Sequence, residues 1–478
     1  MDFRYILIGG MSLTALLFFV TLMFSRKKVT NFNLGQKHRT LLLFVFSGLF
    51  FNFFASYFIG DPTQLMAKMW RPPVEPYAWD MGPTSLGWIL YLFKSFHSGA
   101  DSWWAMSQAF DYLKDNPYGM VYQETFFNKG IKFQYPTTSL LLLDFIRAQA
   151  PIVTWQTIYD ALNLFSIYLI PILAFIQYKL YYKNIEDGYA ENLPDFDRFT
   201  GYFLAMSSIL IFYPLVFSVY LGQIQTGILL LTALAFLSFS KKQYMLTGIL
   251  FGVCICIKPQ WVLIILWACI RKQWSMVLGA ITVAIVFSLI SIYLYGLNNF
   301  FDYLNILSFL SKHGESYYIN QSINGLINRS LHNGINNEFI FNSIPPYNPL
   351  VHYATLVFNF SIIVFVMAWR RRSTPNLVDL SIVVLGLTLA SPIAWNHHYT
   401  VLIPIFAVIT PIVLSKNIFG KWSLPTMIIL WLLTSQNYEA FTNQLSDTGW
   451  NFLQSTLFFG ALMLFLVLVK ITKHLRPR

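Results

Sequence analysis

Residues 245–295 read MLTGILFGVCICIKPQWVLIILWACIRKQWSMVLGAITVAIVFSLISIYLY. The last apolar run in this stretch, 274–295, is long enough to cross a membrane, because a spanning helix needs about 20 apolar residues. The two runs before it, 245–257 and 261–270, are too short, and Lys258-Pro259-Gln260 separates them. This pattern predicts broken or re-entrant helices, whose freed backbone groups require protein or a cavity around them. The stretch therefore predicts a membrane helix bundle with polar side chains at a helix break.

The composition of the 478 residues points to the same fold class. Hydrophobic residues make up 56% of the chain and charged residues 11%, whereas a soluble domain carries roughly 25% charged residues. So little charge cannot cover a water-facing surface, which excludes a soluble enzyme, a disordered chain and a nucleic-acid-binding module. The three cysteines, Cys254, Cys256 and Cys269, lie in apolar runs and offer neither a disulfide framework nor zinc-site spacing.

Further apolar runs extend the pattern over the whole chain. They lie at 5–24, 40–60, 155–180, 201–220, 224–240, 351–369, 377–390, 399–414, 422–436 and 451–470. We predict one all-α, polytopic membrane bundle over residues 1–478, with about eleven to fourteen spanning or re-entrant helices. The first run is interpreted as a retained helix, because it exceeds the length of a signal-peptide core and its basic residues follow it.

Basic residues set the predicted orientation. The segment 25–39 holds five Lys and Arg residues and no acid, and such segments stay on the cytoplasmic side. If successive spans alternate in direction from this segment, the other tight basic clusters also lie on the cytoplasmic side. The N-terminus is then outside and the C-terminus is cytoplasmic. The outer side then receives a first loop at 61–154, a second at 297–350 and a shorter segment at 437–450. We therefore expect a site at the outer membrane face.

The first outer loop contains two stretches, 85–97 and 101–114, that are apolar on one helical face and polar on the other, as in helices that lie in the membrane interface. Asp101 begins the second stretch. Its carboxylate suits a helix N-cap, and it equally suits a general base at the membrane boundary. Asp61 and Asp80 are the alternative bases in the same loop.

Two further polar positions interrupt apolar runs. Lys258 is interpreted either as a lysine that reaches out from a helix end or as an anion-binding cation beside the opening made by Pro259. Gln223 and Gln225 follow Gly222. They either cap the next helix or donate and accept hydrogen bonds with sugar hydroxyls.

The second outer loop carries Asn320-Gln321-Ser322, then Asn324 and Arg329. In a helix, Asn320 and Asn324 share one face. Together with Arg329 they predict a polar, cationic face.

The run from Ser391 to His398 is the most informative short motif. Trp395, His397 and His398 suit either an interfacial position or contacts to a sugar ring and a phosphate. Adjacent histidines diverge on a helix and no carboxylate accompanies them, so a metal site is not predicted.

In this order the motifs resemble those of the GT-C membrane glycosyltransferases, and specifically glycosyltransferase family 87, the bacterial polyprenyl-phosphate-dependent mannosyl- and arabinofuranosyltransferase type. The resemblance runs from about residue 95 to residue 415. It comprises Asp101 with Asn116-Pro117-Tyr118, Tyr135-Pro136, Gly222-Gln223-x-Gln225, Lys258-Pro259, Asn320-Gln321-Ser322 with Asn324 and Arg329, and Ser391-Pro392-x-x-Trp395-x-His397-His398.

The resemblance implies an inverting enzyme in the bacterial inner membrane, with its active site on the outer face. It would move mannose or arabinofuranose from a polyprenyl-phosphate donor to a hydroxyl of a glycolipid or polysaccharide, without a metal or other cofactor and without nucleic acid. Asp101 would be the base. The donor phosphate would contact Lys258, Arg329, His397 and His398. The sugar or acceptor would contact Tyr135, Gln223, Gln225, Asn320, Gln321, Asn324 and Trp395.

Two other functions suit a chain of this kind. A transporter or flippase of lipid-linked sugars also has broken helices and a buried lysine, although its site lies at the membrane midplane, whereas these polar residues gather at one face. A non-catalytic subunit of envelope assembly is the third possibility. Substitution of Asp101 separates the enzyme from that subunit, since a scaffold does not need the carboxylate.

Overall fold

The computed structural model describes residues 99–149, 155–185, 209, 212–338, 344–369 and 375–474. In these ranges the chain is helical and forms no strand, apart from an isolated bridge between Asn320 and Trp395. The predicted all-α, polytopic membrane fold is confirmed. The predicted segments 5–24, 40–60 and 85–97, together with Asp61 and Asp80, lie outside the described residues.

The α-helices of the described part follow in chain order. They are α1 (Asp101–Asp115), α2 (Leu140–Gln149), α3 (Trp155–Ile185), α4 (Tyr213–Leu221), α5 (Gln225–Ser240), α6 (Tyr244–Ile257), α7 (Leu263–Ile270), α8 (Trp274–Tyr295), α9 (Leu297–His313), α10 (Ile323–Ser330), α11 (Pro349–Ala368), α12 (Leu377–Leu389), α13 (Leu402–Ser415), α14 (Ser423–Ser435), α15 (Glu439–Thr442) and α16 (Thr456–His474). Short 3-10 segments at Pro259–Val262 and Asn396–Val401 lead into α7 and α13.

Five helical segments of the described part are long and apolar enough to cross a membrane. They are Thr157–Tyr178, Trp274–Tyr295, Pro349–Ala368, Asn396–Ser415 and Asn451–His474. The shorter apolar helices include α6 and α12, which match the half-length runs of the sequence. The helix predicted at 101–114 is present as α1, in the segment predicted to be the first outer loop.

The break between α6 and α7 follows from Pro259. Proline lacks a backbone N–H and disfavours the helical conformation of the residue before it. Lys258 accordingly adopts extended backbone angles, while its N–H still donates to Cys254 O at 2.8 Å and ends α6. The break turns the lysine side chain away from the helix, into the interior of the protein.

Close packing of α6 against α8 holds this break in place. A Cβ at Gly248 would lie 2.1 Å from Met276 O, and one at Gly279 would lie 2.4 Å from Met245 O. Small residues that allow two backbones to approach are typical of membrane helix pairs. Thus α6 and α8 form a rigid pair, from which Lys258 projects.

A second close contact joins α1 to the end of α4. Gly99 N donates to Tyr220 O at 2.9 Å. Gly222 ends α4 in the left-handed conformation, with φ of 69°, and a Cβ there would lie 1.6 Å from Gly99 O. Glycine is required because only it adopts this conformation freely and leaves room for the crossing chain. The contact brings the start of α1 beside Gln223.

Candidate active site

One cavity of about 540 Å³ receives the start of α1, the α4–α5 junction, the break after α6 and the segment after α12. Its lining residues are Asp101, Ser102, Trp104, Ala105, Lys132, Gln134, Tyr135, Gln223, Ile257, Lys258, Pro259, Gln260, Val262, Leu263, Tyr303, Leu307, Leu310, Ala390, Ser391, Pro392, Ile393, Trp395, His397 and His398. Seven of the predicted site residues line it: Asp101, Tyr135, Gln223, Lys258, Trp395, His397 and His398.

Asp101 does not cap α1. The N-cap position belongs to Ala100, and no side chain caps the helix there. Instead the Asp101 carboxylate faces the cavity, where its Oδ2 accepts a hydrogen bond from Gln223 Nε2. The N-cap interpretation of this residue is therefore wrong, and the carboxylate belongs to the polar wall of the cavity.

A hydrogen-bond network fixes the orientation of the Gln223 amide. Ser102 Oγ donates its single proton to Gln223 Oε1 at 2.6 Å. Since that proton is used, Tyr135 must donate its hydroxyl proton to Ser102 Oγ, at 2.8 Å, and Ile224 N donates to the same oxygen at 3.2 Å. With its oxygen held by Ser102, the amide presents Nε2 to Asp101.

The environment of Asp101 shifts its proton affinity. Burial disfavours the charged form and raises the pKa of Asp101 to about 7, although the positive charge of Lys132 and the hydrogen bond from Gln223 act to lower it. A carboxyl group with a pKa near neutral pH can take up and release a proton at that pH, which suits general base catalysis.

Lys258 is a buried cation on the same cavity. Its Nζ donates to Gln225 Oε1 at 2.8 Å and lies 2.7 Å from His398 Nε2. Within the described residues no carboxylate pairs with it. A charge that faces a cavity without a counter-ion is stabilised by a bound anion, so this wall suits a phosphate.

The segment Asn396–Val401 carries the two histidines beside Lys258. The His397 ring lies 5.8 Å from that of Trp395 and 4.6 Å from that of His398, with near-perpendicular planes in both pairs. His397 is buried. Among the described residues, no three His, Cys, Asp or Glu side chains lie close enough together to hold a metal ion.

The carboxylate and the cation are linked through one tripeptide. Gln223 contacts Asp101, and two residues later Gln225 contacts Lys258. Both glutamines are buried. Gln225 itself lies behind the cavity wall, so its predicted contact with sugar or acceptor is replaced by a contact that holds Lys258 in place.

The cavity also has an apolar wall that reaches the outside of the protein. Ile257, Val262 and Leu263 form one side, and Leu307 and Leu310 of α9 form the other. Val262 is 48% exposed and Leu307 is 40% exposed, so the wall continues onto the outer surface. An apolar chain can lie along this wall while its polar end reaches Lys258.

Arg329 does not line the cavity, contrary to the prediction that it contacts the donor phosphate. It is fully buried, and Nη1 donates to Tyr317 O at 3.1 Å and to Asn320 O at 3.0 Å, while Nη2 donates to Ser455 Oγ at 2.5 Å. The carbonyl groups of this loop turn inward and need donors. The guanidinium supplies them and so supports the loop.

Asn320 likewise supports the cavity from behind. Its Oδ1 accepts from Ala394 N at 3.0 Å and its Nδ2 donates to Glu315 O at 2.8 Å. The isolated bridge pairs it with Trp395. Asn320 therefore positions the segment that carries Trp395, and it does not reach the substrate side as predicted.

Gln321 and Asn324 are buried in the same scaffold. Gln321 Nε2 donates to Tyr318 O at 2.7 Å and to Gln454 O at 2.6 Å. Asn324 Oδ1 accepts from Glu315 N at 3.1 Å. Neither is among the residues that line the cavity, where the expected sugar or acceptor contacts would lie.

Sequence reasoning missed other polar residues of the cavity. Lys132 lines it and pairs with Glu315 at 3.4 Å. Ser102 orients Gln223, and Tyr303 OH donates to Gln134 O at 3.1 Å. Lys132, Ser102 and Tyr303 do not follow a helix break and were not part of the motifs quoted above. The one local indication is that Lys132 lies three residues before Tyr135, a predicted site residue.

The sequence was compared with known families and proteins. The model of glycosyltransferase family 87 matches residues 133–392, which is more than half of the chain. The chain belongs to glycosyltransferase family 87. This confirms the resemblance drawn from the motifs and identifies the protein as a glycosyltransferase. No curated protein and no solved structure matches it significantly.

The family 87 match contains part of the site. Tyr135, Gln223 and Lys258 lie inside the matched range, whereas Asp101 precedes it and His398 follows it. In the structure of this family 87 glycosyltransferase, residues that precede the matched range, lie within it and follow it all line one cavity. The family match alone does not show that these residues lie together.

Proposed function

We propose that this glycosyltransferase is an inverting enzyme that moves a sugar from a polyprenyl-phosphate carrier to an acceptor hydroxyl. One observation carries the proposal: a single cavity holds a carboxylate, Asp101, and a cation without a carboxylate partner in the described chain, Lys258. Transfer from a phosphate carrier needs both, a base for the acceptor and positive charge for the leaving group.

In the proposed reaction, the ionised Asp101 carboxylate removes the proton from the acceptor hydroxyl while that oxygen attacks the anomeric carbon. The acceptor oxygen forms the new bond to carbon. The bond from that carbon to the phosphate oxygen breaks, and its electron pair leaves with polyprenyl phosphate. Gln223 keeps the carboxylate aimed, since its amide is itself held by Ser102.

The leaving phosphate meets the positive charge of Lys258. His398 orients that ammonium group through Nε2, and His397 lines the same wall. Fixed donors aimed at a developing anion stabilise the transition state without reorganisation. In this proposal the phosphate leaves against the protein's own cation, so the reaction proceeds without a metal ion.

Inversion is supported by the number of carboxylates. Asp101 is the sole acidic residue among the described side chains that line the cavity. A retaining double displacement needs a second carboxylate as nucleophile, about 5–5.5 Å from the first in retaining glycosidases. One carboxylate supports a single displacement, which inverts the anomeric carbon.

The proposed substrates are those that fit the apolar and aromatic walls of the cavity. The apolar wall at Val262 and Leu307 suits the prenyl chain, and Trp395 suits stacking on a sugar ring. We propose mannose or arabinofuranose as the sugar and a glycolipid or polysaccharide as the acceptor, in keeping with the resemblance of the motifs.

We also propose that the site faces the outer side of the bacterial inner membrane, with the N-terminus outside and the C-terminus cytoplasmic. The support comes from charge: the segments that line the cavity are the ones that the basic clusters assign to the outer side. A cysteine placed at the exposed Asp115 and labelled by a membrane-impermeant thiol reagent in intact cells tests this orientation.

The decisive experiment uses purified wild type, Asp101→Asn and Asp115→Asn, assayed with a panel of polyprenyl-phosphate mannose, arabinofuranose and glucose. Asp115 is an exposed acid on the same helix and serves as the matched control. We expect wild type and Asp115→Asn to transfer one sugar of the panel. Asp101→Asn should bind that donor and transfer nothing.

Other outcomes point elsewhere. Retention of most of the rate by Asp101→Asn would contradict the base assignment and direct the test to Asp61 and Asp80. Donor movement across vesicles without transfer would indicate a transporter or flippase. Neither transfer nor donor binding, with a requirement for the protein in envelope assembly, would indicate a non-catalytic subunit.

A further inference from the structure

Glu439 is a buried carboxylate that the proposed reaction does not use. It begins α15, in the third outer segment, and is 7% exposed. Its Oε1 accepts from Asn396 Nδ2 at 2.5 Å and its Oε2 accepts from Tyr213 OH at 3.1 Å. It does not line the cavity. Both oxygens are thus committed to protein donors on two other elements.

No described cation pairs with Glu439. The titratable groups that face it are the hydroxyls of Tyr213 on α4 and of Tyr318, and Tyr317 lies beside both tyrosines. Burial raises the pKa of Glu439 to about 7, against the hydrogen bonds from Tyr213, Asn396 and Asn437, which lower it. A buried carboxylate costs stability unless donors compensate it, and Tyr213 and Asn396 supply those donors.

The role of Glu439 is indicated by the residues next to its hydrogen-bond partner Asn396. Asn396 directly precedes His397 and His398, which line the cavity beside Lys258. The Nδ2 group of Asn396 is held by Glu439, and its Oδ1 is buried with no hydrogen-bond partner among the described residues. The side chain of Asn396 is therefore fixed through Glu439, while its backbone N–H donates to Ile319 O at 3.1 Å.

We propose that Glu439 is a positioning residue, which holds Asn396 and thereby sets the places of His397 and His398 on the phosphate-binding wall of the cavity. Glu439 itself touches no substrate. The expected effect on the carrier rests on the proposed function, whereas the expected effect on the histidine segment does not.

The test compares Glu439→Leu, Glu439→Gln and Asp379→Leu with wild type. Leucine removes both acceptor oxygens at similar volume, and glutamine keeps one. Asp379 is a buried carboxylate in the capping box of α12, at the end of that helix remote from the cavity, and is the matched control. Two quantities are measured: hydrogen exchange of residues 395–401, and binding of undecaprenyl phosphate, the sugar-free carrier.

Glu439→Leu should speed exchange in residues 395–401 and weaken carrier binding by about tenfold, the factor that corresponds to losing one hydrogen bond to a charged group. Glu439→Gln should keep both the exchange rate of residues 395–401 and the carrier affinity close to those of wild type. Asp379→Leu should lower thermal stability and change neither. If Glu439→Leu does not fold, Asn396→Ala replaces it, with the same expectation, because it removes the donor of the same hydrogen bond.

Two results would overturn the proposal: unchanged exchange in residues 395–401 in the folded variant, or an equal increase in Asp379→Leu, which would make the effect general destabilisation. Failure of the proposed function gives a different pattern. Wild type would then bind no carrier, while the exchange measurement would still decide whether Glu439 holds the histidine segment.

Discussion

Lys258 Nζ lies 2.7 Å from His398 Nε2. With Lys258 protonated, its ammonium group has donors only, so the imidazole of His398 then accepts through Nε2 and carries its proton on Nδ1. The pair thus holds one positive charge at a fixed place on the cavity wall. In the proposed reaction, the phosphate meets a cation that Gln225 and His398 already orient.

Replacing Lys258 by Met should remove this charge and keep the side-chain length. We expect the kcat/KM for the polyprenyl-phosphate donor to fall by about 10²–10³, the usual effect of losing one group that stabilises a developing anion. The measurement is steady-state transfer at varied donor concentration. Lys241→Met, at an exposed lysine beyond the end of α5, is the control and should behave as wild type. A Lys258→Met enzyme with unchanged kcat/KM would exclude Lys258 from the phosphate site.

The pH dependence should report Asp101. Its pKa is raised to about 7, and the base must be ionised, so the acid limb of the rate should lie near that pH. Below it, kcat/KM should fall about tenfold per pH unit as the carboxyl group takes up a proton. The check is a pH–rate profile at constant ionic strength. A rate that stays constant down to pH 5 would be incompatible with this base.

Lys132→Met should move that profile in a known direction. The positive charge of Lys132 lowers the pKa of Asp101, so its removal should shift the acid limb to higher pH. The maximal rate above the limb should change less than the rate at neutral pH. An unmoved limb, or one moved to lower pH, would show that Lys132 does not act on Asp101 through its charge.

Gln223→Glu and Gln225→Glu make a matched pair, since each introduces one carboxylate at nearly constant shape. Beside Asp101, the new carboxylate replaces a donor by a like charge, which raises the pKa of Asp101. We expect Gln223→Glu to lose activity at pH 7 by about tenfold or more. Gln225→Glu should instead pair with Lys258 and weaken donor binding. Equal effects of the two changes on the pH profile would argue against separate roles.

Arg329 should matter for stability and little for the chemistry. Arg329→Met leaves the carbonyl of Asn320 without the donor that Arg329 supplies, whereas Tyr317 O keeps the N–H of Asn320 at 2.8 Å. An unsatisfied buried group costs about 1–3 kcal/mol. We expect a lower thermal stability in detergent and an unchanged donor KM in the protein that stays folded. A raised donor KM at unchanged stability would favour the phosphate contact predicted from the sequence.

The hydrophobic pattern predicted most of the helices because lipid imposes their length and composition. The run at 274–295 coincides with α8, and Pro259 stands at the predicted break. By contrast, the segment predicted to be the second outer loop contains α9, Leu297–His313, which contributes Leu307 and Leu310 to the cavity. Its packing over the site depends on contacts distant in sequence, which periodicity does not report.

The sequence could predict which residues line the cavity where those residues lie at the start or end of a helical segment. Asp101 begins α1, Lys258 follows the last residue of α6, and His398 lies in the 3-10 segment that leads into α13, so their position at the cavity has a local cause. For buried polar side chains, no local feature of the sequence determines the direction in which they point. Asn324 and Arg329 turn to loop carbonyls and amides instead of to the cavity, a choice that the partners in the folded protein decide.

The tripeptide from Gln223 to Gln225 has a consequence for the range of substrates that this architecture can serve. It ties the proposed base, Asp101, to the proposed phosphate-binding cation, Lys258, through one short piece of backbone. We therefore expect the separation of the two reactive ends to depend on this backbone more than on Trp395, the residue proposed to stack on the sugar. Exchange of Trp395 should then change which sugar is accommodated, while the geometry of bond making and bond breaking stays constant.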